Sequence, residues 1–256
     1  STWSNNTNAL VSTGGIHTSS IQANFSSPTG SGQFFINVFD AATSSADATV
    51  QYAVGYGHRA GSGSQNFTDD TGSKGISATR VIYNQYRQLV FGDENSTFSF
   101  NGYTPQDIYV INVNRSRYKH NLKPASLDMK LTCGGVTRQY TDDSITTSGS
   151  ATMTNAGRQF NIVEGTTPGV MTGTSLNQST NGNSGSYGLF YPDAGFMIFN
   201  PDALAAEHTG TELTPTVTSN FAANDNHEKM VTAINRGNSF ILDSEEKVSS
   251  QCYTRG

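Results

Sequence analysis

The sequence predicts a mainly β protein, with an antiparallel sandwich-like core, one or two helices, and long Ser/Thr/Gly-rich loops. Several short runs alternate apolar residues with polar or small ones, which is the pattern of half-buried strands. Gly, Ser, Asn and Asp cluster between these runs, where turns are expected. The chain of 256 residues is long enough for one large β domain or two small ones.

The clearest strand and helix signals lie in the first half of the chain. Residues 33–40 and 48–56 alternate in hydrophobicity and are joined by a small polar turn, so we expect a hairpin. Residues 77–91 carry apolar side chains at intervals of three and four. This spacing predicts a helix, capped by Ser77 or Thr79, with one face against the sheet.

The remaining elements are shorter. The aromatic segment 186–201 contains a Pro-Asp-Ala-Gly turn and predicts a second hairpin. A second helix is expected at 227–235, before Gly237. Further strands are predicted at residues 97–100, 107–114, 127–133, 159–163 and 239–242.

The domain organisation follows from composition. Residues 1–31 are rich in Ser, Thr and Asn, with isolated apolar residues such as Trp3, and predict an extended arm. Such an arm gains order by lying on a neighbouring subunit, although a frayed terminus is an equally good interpretation. Residues 32–256 form the β-rich structural domain, which could subdivide near 141–157, where apolar residues are scarce.

Charge is unusually low for a soluble domain. Only 14% of residues are charged, against roughly 25% in an average protein. A surface of hydroxyl and amide groups suits protein–protein packing, because fewer charges must be desolvated. The net charge of −5 also disfavours nucleic acid as a partner. The one short basic cluster, predicted to be a solvated strand edge, comprises Arg115, Arg117, Lys119, His120 and Lys123.

No membrane, metal or cofactor is expected. The chain has no apolar run long enough to span a bilayer as a helix. Its five histidines are not at ligand spacing, and the pairs Asp69–Asp70 and Asp142–Asp143 lack the alternation of a calcium loop. Whether Cys133 and Cys252 pair stays open, but Cys133 is predicted to lie on the buried face of a strand.

One segment is similar to a catalytic motif. The Gly-Asn-Ser-Gly-Ser sequence around Ser184 resembles the nucleophile loop of chymotrypsin-like serine proteases, with His58 upstream and Asp142 or Asp143 as a third member. However, His58 lacks that family's Ala-Ala-His-Cys context. Gly, Asn and Ser also occur throughout residues 172–186, so a chance match is favoured and no enzyme is predicted.

Three parts of the sequence resemble virion structural proteins of contractile-tailed phages, especially the large marine cyanophage group. They are residues 55–63 with 79–86, residues 107–118 with 127–131, and residues 244–251. The resemblance covers about half the chain, mainly residues 50–135. It implies a bacteriophage virion structural subunit of the myophage tail or baseplate, assembled in the host cytoplasm with other virion proteins and copies of itself. It brings no catalytic residue and no cofactor.

Contacts in such an assembly are expected in three places. These are the long loop 57–76, the tip of the second hairpin, and the arm. The interface candidates are His58, Arg59, Asp69, Asp70, Asp193, Phe196 and Trp3. The alternative function is a receptor-binding or adhesin module, whose ligand would stack on exposed aromatics. The nearest candidates for that role, which core packing explains more simply, are Tyr187, Phe190, Tyr191 and Phe196.

Overall fold

An antiparallel sheet forms the framework of the molecule. The computed structural model describes residues 8–12, 17–18, 35–63, 77–146, 151–172, 186–208, 212–217 and 226–246. The strands are β1 (Asn8–Ser12), β2 (His17–Thr18), β3 (Phe35–Phe39), β4 (Val50–His58), β5 (Asp107–Val113), β6 (Asn121–Leu122), β7 (Asp128–Cys133), β8 (Val136–Asp142), β9 (Thr152–Thr154), β10 (Gly157–Glu164), β11 (Gly188–Tyr191), β12 (Phe196–Phe199) and β13 (Phe240–Glu245). The α-helices are α1 (Ala78–Phe91), α2 (Pro201–Glu207) and α3 (Asn226–Gly237).

The sheet folds over to make a sandwich-like core. Its main path runs β1-β13-β7-β8-β10-β11-β12-β5-β4-β3-β2, with β6 paired to β13 and β9 to β10. Tyr52 on β4 meets Phe240 on β13 with ring centroids 5.1 Å apart, although these strands are far apart along the path. The sheet is not a closed barrel. The predicted fold class is therefore confirmed, with three α-helices in the described chain where one or two were expected.

Strand β5 is buried on both faces and separates two packing layers. Ile108 and Val110 join the layer beneath α1, while Tyr109 and Ile111 join the layer inside the folded sheet. Side chains alternate between the faces of a strand, so a run of large apolar residues can serve two layers at once. The second hairpin lies beside β5 through β12, and its strands are likewise apolar at almost every position.

Helix α1 matches its prediction closely. The Ser77 hydroxyl accepts a hydrogen bond from the Arg80 amide at 3.3 Å, which makes Ser77 the N-cap. Gly92 ends the helix at a φ of 73°, a left-handed conformation that glycine adopts without strain. The helix lies directly on β4, because a Cβ at Gly57 would be only 2.8 Å from the Tyr83 amide nitrogen.

Two sequence predictions need correction. Residues 97–100 do not form a strand and contribute only a bridge between Phe100 and Tyr103. The physical reason is that Phe98 is buried against the rings of Tyr83 and Phe91, 5.4 and 5.2 Å away, so this segment packs on α1. In addition, the sequence patterns did not predict β6, β8, β9 and α2.

The described part of the predicted arm pairs with its own domain. β1 lies against β13, and β2 lies against β3. β8 and β10, which flank the predicted point of subdivision, are neighbours in the same sheet through Asp142↔Ile162 and Thr141↔Val163. Trp3 lies outside the described residues.

Candidate interaction groove

An uncharged groove lies between the C-terminal end of α1 and the hairpin formed by β9 and β10. Its volume is about 400 Å³. None of its lining residues carries a charge, and the set mixes hydroxyl, amide and apolar side chains. The lining residues are Val90, Phe91, Thr97, Ser99, Thr152, Met153, Thr154, Asn155, Gln159 and Leu189.

Local hydrogen bonds hold the hairpin against α1. The Asn155 amide donates to the Val90 carbonyl at 3.1 Å, joining the turn to the last turn of the helix. The Thr154 hydroxyl donates to the Gly157 carbonyl at 3.0 Å, which closes the turn on itself. Gly157 has a φ of 93°, so the tight turn requires a residue that tolerates positive φ. The groove wall is thus fixed by backbone contacts.

Met153 is the most exposed large apolar residue of the described chain, at 71%. It projects from β9 on the groove wall, where its thioether side chain can adapt to an irregular surface. A surface without charges and with an exposed methionine has the composition of the centre of a protein–protein interface. The lining holds no acid or base, so these residues favour packing over proton-transfer chemistry.

A second cleft, of about 320 Å³, has a different character. It is lined by Cys133, by Glu212 and by charged residues of α3, and several of these charged groups have partners within the chain. Glu212 and Arg236 form an ion pair at 2.7 Å, and Lys229 donates to the Thr214 carbonyl at 2.8 Å. Burial raises the pKa of the Cys133 thiol to about 11, so this thiol is not a reactive nucleophile at neutral pH.

The predicted contact loop is partly visible. His58 ends β4 and is buried, and its Nδ1 accepts hydrogen bonds from the Ala60 and Ser62 amides at 3.1 and 3.3 Å. Burial lowers the pKa of His58, which keeps the ring neutral and able to accept both bonds. Arg59 is exposed at the start of the loop. Asp69 and Asp70 lie outside the described residues.

The tip of the second hairpin is fastened to the domain through Asp193 and Phe196. Asp193 accepts from the Arg158 guanidinium, with Nη2 to Oδ1 at 2.7 Å, and from the Arg158 amide at 2.8 Å. Phe196 is buried between the rings of Tyr86 and Tyr191, at 5.1 and 4.7 Å. Its side chain is therefore part of the core and is not available to a partner.

The aromatics considered for an adhesin are also in the core. Tyr187, Phe190 and Tyr191 are fully buried, as is Phe196. The ring of Tyr187 packs edge-on against Tyr140 at 4.9 Å. Core packing thus explains these residues, and none of them can stack on a ligand at the surface.

The protease arrangement is not formed by the residues that the structure describes. In a catalytic triad the His Nδ1 donates to an aspartate. Here the Nδ1 of His58 accepts from two backbone amides, so it does not donate to Asp142 or Asp143. Ser184 lies outside the described residues.

The two adjacent aspartates organise the backbone. Both carboxylate oxygens of Asp142 accept from the Ala125 amide, at 3.0 and 3.1 Å. Asp143 accepts from the Asn161 amide and from its side-chain nitrogen, both at 2.9 Å. Burial raises the pKa of Asp143, and the neighbouring Asp142 charge adds to this effect. The Asp143 contacts join the end of β8 to β10, and the Asp142 contacts join β8 to the loop between β6 and β7.

Two members of the basic cluster have intramolecular partners. Arg115 donates to the Tyr118 carbonyl at 2.5 Å and lies over the Tyr118 ring, 4.6 Å from its centroid. Lys119 forms an ion pair with Glu246. Contacts within the domain therefore hold both residues at the strand edge, which favours a structural role for the cluster.

No protein-family model matches the chain, and comparison with curated proteins and with solved structures finds no match either. Across the described ranges, no three His, Cys, Asp or Glu residues come together as a metal site would require. None of the helices there combines the length and apolarity that a membrane crossing needs. Function has to be inferred from the chemistry of the chain's own residues.

Proposed function

We propose that this chain is a structural subunit of a bacteriophage virion, of the tail or baseplate type, and that it works through protein–protein assembly. The observation that carries the proposal is the uncharged groove with Met153 exposed on its wall. Association removes surface from water, and desolvating charged groups is costly. A lining without charges avoids this cost, and the burial of its apolar atoms stabilises the complex.

The groove is small compared with a complete interface. A stable interface buries about 800 Å² on each partner, so the groove would be the centre of a larger contact. The rest of the surface is suited to surround it, because Ser, Thr, Asn and Gly take the place of charges throughout the chain. The exposed Arg59 at the start of the 57–76 loop is one further contact candidate.

The virion assignment rests on the sequence resemblance over residues 50–135. Its partners are then other virion structural proteins and further copies of this chain, and its location is the virion. Antibody labelling of phage particles from the source of this sequence, viewed by electron microscopy, tests this assignment. Gold label at the tail or baseplate supports the proposal, and particles without label contradict it.

The groove itself is tested by placing a charge in it. Met153→Asp should abolish self-association or incorporation into particles, because the carboxylate must be desolvated on contact. Its melting temperature should change little, because Met153 is 71% exposed in the isolated chain. Sedimentation velocity measures association, and circular dichroism measures melting.

The matched control is Ile145→Asp. Ile145 is also an exposed large apolar residue, at 57%, but it does not line the groove. This variant should assemble like the unmodified chain. If the two variants lose association equally, a general effect of surface charge is responsible, and the groove is not the interface.

A further inference from the structure

Three arginines lie on or beside α1 and together form a surface that we call the arginine face. Arg80 and Arg87 are seven positions apart on the helix, and a spacing of two turns places both on one side of it. Arg59 starts the loop that passes beside Arg80, where a Cβ at Gly61 would lie only 3.3 Å from the Arg80 Cβ. Arg59 and Arg80 are exposed, and Arg87 is half-buried.

The guanidinium groups of this face differ from others in the molecule because they have no polar partner. Those of Arg138, Arg158 and Arg236 form ion pairs. The Arg115 guanidinium donates to the Tyr118 carbonyl. Within the ranges that the structure describes, the three guanidinium groups of the arginine face make no ion pair and no hydrogen bond. Their charges are therefore available to another molecule.

No acidic side chain of the helix offsets this charge. α1 has the sequence ATRVIYNQYRQLVF, without Asp or Glu, and Arg80 lies in its first turn, where the helix dipole adds positive potential. Asp93 is within range of the Arg87 charge, but its carboxylate accepts from the Asn95 and Ser96 amides at 2.7 and 2.6 Å. The arginine face thus keeps a net positive charge.

Tyr83 lies between the charges of the face and fixes one of them. The Arg87 Cζ is 5.8 Å from the Tyr83 ring centroid, and such a contact holds the planar guanidinium along the helix surface. Burial raises the pKa of Tyr83, and the charges of Arg59 and Arg87 oppose this rise, so both act at the same ring. A guanidinium held in this way presents its paired N–H groups to a carboxylate.

We propose that the arginine face binds an acidic segment of another protein, whose carboxylates pair with Arg80 and Arg87. Seven residues at 1.5 Å per residue separate these two positions by about 10 Å, which sets the spacing of the carboxylates. A long polyanion such as DNA would also meet the rest of the chain, which is acidic enough to give a net charge of −5 in spite of this face. A short acidic segment avoids that repulsion. This contact is separate from the groove and does not depend on the proposed function.

Fluorescence anisotropy of a rhodamine-labelled peptide tests the proposal. The peptide carries Glu at every third position among serines, which separates the carboxylates by about 10 Å when it is extended. Arg59→Glu combined with Arg80→Glu should weaken its binding to the whole chain at least about tenfold, because both positions then repel the peptide. The matched control, Lys119→Glu with Lys123→Glu, makes the same change in net charge at two other exposed positions and should lose much less affinity.

Four results would contradict the proposal. The first is an equal loss of affinity in the two double variants, which would make net charge responsible. The second is equal binding of a peptide with Gln in place of Glu. The third is tighter binding of a DNA duplex or of phosphatidylserine vesicles than of the acidic peptide. The fourth is loss of self-association by Arg59→Glu with Arg80→Glu in sedimentation velocity, which would make a second copy of the chain the partner. Circular dichroism confirms that each variant is folded.

Discussion

At the scale of single residues, Asp107 is a buried carboxyl group whose environment opposes its charge. It lies on β5 opposite His58, and the Tyr56 hydroxyl donates to its Oδ2 at 2.7 Å. Burial raises the pKa of Asp107 to about 6, although the Tyr56 hydrogen bond lowers it, and the nearby Asp202 charge raises it further. The folded state therefore binds the Asp107 proton more tightly than the unfolded state.

This pKa predicts a pH dependence of stability. The folded-state pKa of about 6 exceeds the ordinary pKa of 3.8. The stabilisation that comes from protonated Asp107 is therefore fully present below pH 3.8 and is lost as the pH rises through 6. Asp107→Asn keeps an acceptor for Tyr56 and removes the charge. It should raise the free energy of unfolding at pH 7.5 by up to about 3 kcal/mol, with the gain vanishing toward pH 4.

Urea unfolding of both proteins between pH 4 and 8 measures the difference. Asp202→Asn is the control, since it leaves the buried carboxyl in place and should move the transition to lower pH. A constant difference between Asp107→Asn and the unmodified chain at every pH would show that Asp107 has an ordinary pKa.

Cys133 is a second residue whose burial determines its chemistry, and its position on the strand 127–133 predicted that burial. The structure confirms the burial, and the pKa of the thiol is raised to about 11. We expect a bulky maleimide to label Cys133 only when denaturant is added. Mass spectrometry of labelled peptides, with and without denaturant, measures this. Labelling within minutes in native buffer would contradict the arrangement of β7.

At the scale of elements, the contact between α1 and β4 depends on Gly57, whereas Gly55 of the same strand lies against Phe35 of β3. A Cβ at Gly57 would lie 2.8 Å from the Tyr83 amide nitrogen and 3.0 Å from its Cα, which are backbone atoms of the helix. A Cβ at Gly55 would lie 2.6 Å from the Phe35 ring, which is a side chain that can rotate. The two positions thus separate backbone crowding from side-chain crowding.

Gly57→Ala should be clearly more destabilising than Gly55→Ala. The helix must move away from the sheet to accommodate the first methyl group, and overpacking of this type costs about 1–3 kcal/mol. The second variant needs only a shift of Phe35, so it should cost less. Thermal or urea unfolding measures both, and equal losses would mean that α1 does not pack directly on β4.

Sequence patterns predicted the elements that combine an apolar period with a cap or a turn residue in one short stretch. Helix α1 has its spacing, its Ser77 cap and its terminal glycine within one short stretch. Helix α2 also has local signals, because Asn200 caps it and Pro201 and Asp202 follow, but its seven residues give no apolar period. Strand β8 has no buried residue in its first half, so it lacks the alternation that identified the other strands.

At the scale of the whole molecule, the groove depends on contacts between distant parts of the chain. β9 lies in a Thr-, Ser- and Gly-rich region with no strand signal, and it becomes a groove wall only because Asn155 bonds to Val90. The pairing of β1 with β13 and of β2 with β3 likewise depends on where β3 and β13 lie after folding. Composition alone predicted the general character of the surface, and the fold decided where the uncharged groove lies.

The sparse charge of the molecule leads to a prediction about salt. Only 14% of the residues are charged, some charged groups such as Arg158 and Asp193 are paired with each other, and the groove lining carries no charge. Raising NaCl from 0.1 M to 1 M shortens the screening length from about 10 Å to about 3 Å. An assembly held by uncharged surfaces should keep its association constant within about twofold over this range, since it has little charge attraction to lose. Sedimentation velocity at both salt concentrations measures the constant. A loss of tenfold or more would mean that charged residues outside the groove hold the subunits together.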